Sequence, residues 1–258
     1  MLFRFLMLSI VAFSIVLPSF SGAEPAPTIA AAADLKFAMQ DISEIFTQQT
    51  GQKVEIIFGS AGNLRRQIVQ GAPFQMFLSA DEQFIFDLYK EGFMLDEGTL
   101  YAVGRIVIFA PHGSPLKPDK DLKDLKTALE DGRLKRFAIA NPAHAPYGKR
   151  AQEALVKAGL WEKLQSKLVY GEDMVQATQF AANGSSQGGI LSYSFVCAPS
   201  VARLGTYALI PAEWHKPLQQ RMALLKSAGD TAKQFYTFVQ APAAREVFKR
   251  YGFVLPGE

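Results

Sequence analysis

The sequence predicts an α/β protein of two lobes, each a mostly parallel sheet flanked by helices. Three observations carry that expectation. Short apolar runs alternate with segments of helical spacing from Thr28 to Ser194, the pattern of strand–helix–strand units. The chain has 258 residues, more than the ~100–150 of a modal single domain. Hydrophobic residues make up 49% and charged residues 20% of it, enough to fill two cores and too apolar for dominant disorder.

Taken in order, Met1 to Ala23 opens with one cation, Arg4, and continues as an apolar run from Phe5 to Leu17. Pro18 and the small residues Ser21-Gly22-Ala23 follow, completing the pattern of a cleavable secretory signal with a mature chain starting near Glu24. The thirteen residues of this run are too few to cross ~30 Å of hydrocarbon. Thr28–Ala32, Val54–Phe58, Met76–Ser79, Ile106–Phe109, Phe137–Ala140 and Ile190–Ser194 then read as short buried strands. Ala38–Phe46, Leu64–Gln70, Phe84–Tyr89, Leu122–Leu129, Arg150–Lys157 and Val175–Ala182 read as the intervening helices. The chain ends on two amphipathic helices in succession, Lys233–Val239 and Ala244–Tyr251.

Several function classes are disfavoured by composition. Net charge is +3, and with no run of five like charges neither a nucleic-acid tail nor a polybasic membrane patch is expected. A single cysteine, Cys197, excludes an internal disulfide and any CxxC motif; it is expected in a strand or just beyond one, as an inert thiol. His112, His144 and His215 are far apart in sequence, which argues against a histidine-built zinc site. Gly184-Ser185-Ser186-Gln187-Gly188 fits GxSxG by letter, and a serine hydrolase acting through Ser186 is the rival reading. Its context is wrong, because this turn follows a helix and enters a strand, the reverse of a nucleophile elbow. Neither a GxxxxGK phosphate loop nor a GxGxxG fingerprint occurs. Asp81-Glu82 and Glu172-Asp173 stand where helices begin and read as capping pairs.

What recurs is a small-residue turn between strand and helix: Ala31-Ala32-Ala33-Asp34, Gly59-Ser60-Ala61-Gly62-Asn63, Pro146-Tyr147-Gly148 and Glu172-Asp173-Met174-Val175. A helix N-terminus offers unpaired N–H groups and partial positive charge, and small residues let an anion approach them. Four ordinary βα turns, or four walls of an anion site at the carboxyl ends of the strands, both fit this pattern.

The strings Ala30-Ala31-Ala32-Ala33-Asp34-Leu35, Gly59-Ser60-Ala61-Gly62-Asn63-Leu64, Gly71-Ala72-Pro73-Phe74 with Phe77-Leu78-Ser79-Ala80-Asp81, and Asn141-Pro142-Ala143-His144-Ala145-Pro146-Tyr147-Gly148 resemble the periplasmic molybdate-binding proteins of ABC transporters. The ending Phe248-Lys249-Arg250-Tyr251-Gly252-Phe253 matches as well, so the resemblance spans the mature chain in order. It implies a type II periplasmic binding protein: a signal peptide over 1–23, one lobe from 24–105 with 214–258, a second from 106–213, and a hinge of two crossings near Val103–Val107 and Pro211–Pro217. It further implies an exported monomer in the periplasm that is not an enzyme and needs no cofactor. Such a protein holds molybdate or tungstate and delivers it to an inner-membrane permease, with no nucleic-acid partner.

Carried over residue by residue, the resemblance puts anion contacts at Ala33, Asp34, Ser60 and Ala61 in the first lobe. In the second they fall at Tyr147, Met174 and either Ser192 or Tyr193. Family members commonly carry serine or asparagine where Asp34 stands, and serine or threonine where Ala61 stands. Two expectations for Asp34 follow. It turns back as an N-cap, accepting from Lys36 or Phe37 N–H, or it faces the cleft and selects a protonated oxyanion such as hydrogen phosphate or arsenate.

Overall fold

The computed structural model describes residues 25–257, so the segment read as a signal sequence lies outside the described residues. Among the described residues ten strands divide between two five-stranded sheets. The first contains β1 (Thr28–Ala32), β2 (Glu55–Gly59), β3 (Phe74–Ser79), β4 (Thr99–Gly104) and, much later in the chain, β10 (Leu218–Leu224), in the order β2-β1-β3-β10-β4. The second contains β5 (Ile106–Pro111), β6 (Phe137–Ala140), β7 (Leu168–Gly171), β8 (Gly189–Ser192) and β9 (Gly205–Leu209), in the order β7-β6-β8-β5-β9.

Each sheet has one reversed strand. β1 pairs parallel with β2 and β3, while β10 runs antiparallel to both β3 and β4. In the second sheet β6 pairs parallel with β7 and β8, while β5 runs antiparallel to β8 and β9. The reversed strands are the two that follow a passage between sheets, at Arg105 and through 210–217. The mostly parallel expectation therefore holds with one strand reversed per sheet.

Around the first sheet lie α1 (Lys36–Thr50), α2 (Ala61–Val69) and α3 (Glu82–Lys90); α4 (Lys123–Glu130), α5 (Pro146–Lys157), α6 (Trp161–Leu164), α7 (Met174–Ala182), α8 (Tyr193–Cys197) and α9 (Pro199–Ala202) belong to the middle of the chain. α10 (Asp230–Val239) and α11 (Pro242–Arg250) return to the first sheet, α11 against α1. Arg250 reaches Asp41 of α1 at 2.6 Å, and the Tyr251 hydroxyl donates to the same carboxylate at 3.0 Å.

Local chemistry explains these boundaries. The central strands are apolar along their whole length because both faces are covered: Ile29, Ala30, Ala31 and Ala32 of β1 and all four residues of β6 are buried. α1 stops at Gly51, whose φ of 72° places it in the left-handed region and whose N–H closes on the Thr47 carbonyl at 2.9 Å. Asp81 caps α3 through Gln83 N–H at 3.0 Å, and Asp173 caps α7 through Gln176 N–H at 3.0 Å, as their positions predicted. Their neighbours do otherwise: Glu82 pairs with Arg221, and Glu172 reaches across to Asn63.

Two sequence expectations need correction. The strand expected over Ile190–Ser194 ends at Ser192, and Cys197 lies in the short helix α8, half-buried, with its thiol pushed up by burial. β4, β7, β9 and β10 were not anticipated. Among the described residues no helix is long and apolar enough to cross a membrane.

Candidate functional site

Between the sheets lies a narrow cleft with about 10 Å³ of free space, lined by Ala32, Ala33, Asp34, Gly59, Ser60, Ala61 and Ala80 from one side and by Ala140, Ala145, Pro146, Tyr147 and Met174 from the other. Every small-residue turn singled out in the sequence opens onto it. The helices concerned begin without side-chain caps in three cases: the 3-10 turn Ala33–Leu35 leading into α1, α2 behind Ser60, and α5 behind Ala145. The first N–H groups of a helix have no partner inside it; here that of Gly62 is taken by the His144 carbonyl, and Pro146 at the start of α5 has none to offer. In α7 the Asp173 carboxylate takes Gln176 N–H, which leaves the N–H groups of the two preceding residues uncapped by it. Among the described residues no side-chain cation lines the cleft. Arg150, the buried one nearby, is committed to Glu153 at 2.5 Å and Asp81 at 3.4 Å.

The two walls are in contact. Gly62 N–H donates to the His144 carbonyl at 3.0 Å, and Ser60 Oγ lies 3.0 Å from His144 Nδ1. Asn63 Nδ2 donates to Glu172 Oε1 at 2.5 Å, while His144 Nε2 stands 3.5 Å from the other oxygen of Glu172. Deeper in, Ser194 Oγ donates to the Asp34 carbonyl at 2.7 Å. Gly62 permits this approach because it has no side chain: a Cβ there would meet the His144 carbonyl oxygen at 2.6 Å.

Beneath the floor sits a buried polar cluster that the sequence reading missed. Gln220 of β10 donates through Nε2 to Asp34 Oδ2 at 2.7 Å and to the Tyr147 hydroxyl at 3.0 Å, and its Oε1 accepts from the Tyr101 hydroxyl at 2.8 Å. Having accepted from Gln220, the Tyr147 hydroxyl still has its own hydrogen to favour the charged Asp34. Gly104 at the end of β4 makes room for it, since a Cβ there would fall 2.2 Å from the Tyr147 hydroxyl. Asp34 is 2% exposed, and its Oδ1 has no hydrogen-bond partner. Burial pushes its carboxyl up to about 6, against the pull of the Gln220 and Tyr147 hydrogen bonds. Burial, with the Asp34 charge second, holds both Tyr101 and Tyr147 well above the ordinary tyrosine value.

Six of the eight residues singled out for anion contact line the cleft: Ala33, Asp34, Ser60, Ala61, Tyr147 and Met174. Ser192 and Tyr193 do not. Ser192 N–H is spent on Met174 Sδ at 3.3 Å, and Tyr193 N–H on the Arg105 carbonyl at 2.9 Å. The Tyr193 ring turns outward onto Tyr207, 5.8 Å between centroids. The N-cap expectation for Asp34 is overturned, because Leu35 occupies the N-cap of α1 and the Asp34 carboxylate points to Gln220 instead. Gln220 and Tyr101 carry no motif, so only the fold could reveal them.

The hydrolase reading also fails on geometry. Ser186 is buried, and its hydroxyl is held by the carbonyls of Phe180 and Gly188 at 3.0 and 2.9 Å. The ring of His215 is tied to the Lys216 carbonyl at 2.7 Å.

Two lobes, each built on a five-stranded sheet with one reversed strand and closed over a cleft of helix N-termini, define a solute-binding protein. Residues 27–254 match the family of bacterial extracellular solute-binding proteins, and the chain belongs to that family. That family consists of binding proteins, not enzymes. The chain is 36% identical to the molybdate-binding protein ModA of Rhodobacter capsulatus over 228 residues, covering 87% of this chain and 86% of that protein. It is 34% identical to the Escherichia coli K12 protein of the same name, over 88% of each. In structure it is similar to the periplasmic molybdate-binding protein of Azotobacter vinelandii, with a TM-score of 0.80 and 29% identity over 89% of this chain and 99% of that one.

Proposed function

We propose that this protein captures molybdate or tungstate between its lobes and delivers it to an ABC permease in the inner membrane. The supporting observation is the convergence of uncapped helix N-termini on an alanine-walled cleft with no cation in its lining. A fully deprotonated oxyanion needs only donors, and backbone N–H groups at helix ends supply them with partial positive charge spread over many atoms. Hydrogen bonds to a charged group are worth ~1.5–3 kcal/mol each. A handful of them exceeds the ~8 kcal/mol of micromolar binding by enough to offset association costs.

Ala33, Asp34, Ser60, Ala61, Tyr147 and Met174 form the proposed ligand shell, with the two interlobe passages as hinge. The signal-like segment before Glu24 and the periplasmic solved relative support export to the periplasm, where the protein acts as a monomer. A second reading rests on the orphaned Asp34 Oδ1: that oxygen would accept from a protonated oxyanion such as hydrogen phosphate or arsenate. Calorimetric titration with molybdate, tungstate, sulfate, phosphate and arsenate separates the two. Micromolar or tighter molybdate with weak phosphate supports the first reading; the reverse order supports the second. If nothing in the series binds below about millimolar, ~4 kcal/mol, both readings fall.

A further inference from the structure

We propose that Asp34 takes up a proton when a dianionic oxyanion enters the cleft, so that a neutral carboxyl, not a carboxylate, completes the floor of the closed site. This rests on the oxyanion reading above and concerns what the site must do to hold its ligand.

The geometry is specific about where the proton goes. Oδ2 is occupied by Gln220 Nε2 at 2.7 Å, whereas Oδ1 is buried and has no partner. A proton on Oδ1 leaves the Gln220 bond intact, because Oδ2 then accepts as the carbonyl oxygen of a carboxylic acid. None of the neighbours has to rearrange. The new O–H is also a donor, in a cleft whose Ser60 hydroxyl lies against His144 and whose Tyr147 hydroxyl is engaged beneath the floor.

Among the described residues no side-chain cation stands beside Asp34 to balance the charge, which leaves only the partial charges of the helix ends. From β4 the cluster receives Tyr101, from β10 Gln220 and from α5 Tyr147; both tyrosines are held neutral far above working pH. α8 contributes the neutral Ser194, which bonds the Asp34 backbone carbonyl. The N-cap of α2 contributes the neutral Ser60, bonded to His144 at the rim, and His144 faces the acidic Glu172. Arg150 is taken by two carboxylates of its own. A dianion beside an ionised Asp34 would bring three negative charges together in a buried space without an adjacent cation. Taking one proton from solvent removes one of them, and in the ligand-free protein the carboxyl already stands at about 6. The balance is one carboxylate, one proton and one dianion in; one carboxylic acid and one bound dianion out.

The test is calorimetry of the full protein with molybdate as probe, in buffers of different ionisation enthalpy. Molybdate stays a dianion from neutral pH upward, so a proton taken up there belongs to the protein. Near pH 8 the expected uptake is about one proton per ligand, and affinity should fall ~tenfold per pH unit above neutrality and level off toward pH 6. Asp34→Asn, isosteric and already neutral, should abolish both the uptake and the slope. His144→Gln should keep them, which assigns the proton to Asp34 and not to the rim histidine. If Asp34→Asn does not fold, a protonated-carboxyl C=O stretch in ligand-difference infrared spectra of the parent protein decides the same point. Tight molybdate binding with neither uptake nor slope overturns the inference and leaves the proposed function standing, as does an uptake that survives Asp34→Asn. Failure of molybdate and tungstate to bind at all overturns both.

Discussion

Replacing Gly62 by alanine should separate closure of the lobes from folding of the chain. A Cβ at this position would sit 2.6 Å from the His144 carbonyl oxygen and 3.2 Å from its carbonyl carbon and Cα. All three are backbone atoms of the opposite wall, so the contact cannot be relieved by turning a side chain. The loop must retreat by most of an ångström to reach ordinary contact, and the Gly62 N–H to His144 carbonyl bond of 3.0 Å is then lost. That bond is worth ~1 kcal/mol and the overpacking ~1–3 kcal/mol. The closed form should therefore weaken by ~2–4 kcal/mol, lowering affinity ~30- to 1,000-fold. In an open molecule the same alanine lies in the first turn of α2, where it favours the helix by up to ~1 kcal/mol over glycine. Titration calorimetry with molybdate should show the loss of affinity while the melting temperature of the unliganded protein holds or rises. Parental affinity in Gly62→Ala, or a melting temperature that falls along with affinity, would refute this account of closure.

Glu172→Ala removes the side-chain contacts to Asn63 and His144, but Glu172 has a side chain 62% exposed; affinity should drop no more than ~fivefold, the worth of a solvated pair, by the same titration. Ser186→Ala deletes a buried hydroxyl bonded to two carbonyls and should cost ~1–2 kcal/mol of stability in urea unfolding, with ligand affinity unchanged. In the unliganded protein the Asp34 carboxyl stands at about 6 against an ordinary 3.8. The folded state therefore binds more protons than the unfolded one between those values, and stability falls as pH rises through that window, by up to ~3 kcal/mol. Urea titrations across pH should show this loss in the parent and its absence in Asp34→Asn.

Most of the strands that the sequence discloses are buried on both faces, because a continuous apolar run needs no context to be read; β2, a half-exposed edge strand, was read as well because Ile56, Ile57 and Phe58 are apolar in a row. β1 and β6 are of the buried kind and were delimited at the same residues that the structure assigns. β10 escaped because Gln219, Gln220 and Arg221 interrupt it. Those residues are polar for tertiary reasons: Gln220 is the hub beneath the cleft, and Arg221 reaches Glu82 on α3. β7 and β9 lie at sheet edges, where exposed positions such as Tyr170 and Tyr207 break the pattern. At the site, the small-residue turns were legible because close approach to backbone demands them. The partner of Asp34 was not, since Asp34 and Gln220 are 186 residues apart and only sheet topology joins them.

That topology also orders the assembly of the molecule. β5 to β9 follow one another without interruption over 106–209, so the second sheet can be complete while the rest of the chain is still being made. In the first sheet β4 lies at the edge with β10 as its only neighbour in strand order, and β10 begins more than a hundred residues after β4 ends. Until Leu218–Leu224 arrives, both β3 and β4 present open hydrogen-bonding edges, the kind that pairs with foreign strands. Closing so long a loop comes late in folding. The first sheet, with the Asp34–Gln220 contact beside it, therefore cannot be completed before Leu218–Leu224 has joined it, and a chain cut short before β10 would carry one finished sheet and one left open between β3 and β4.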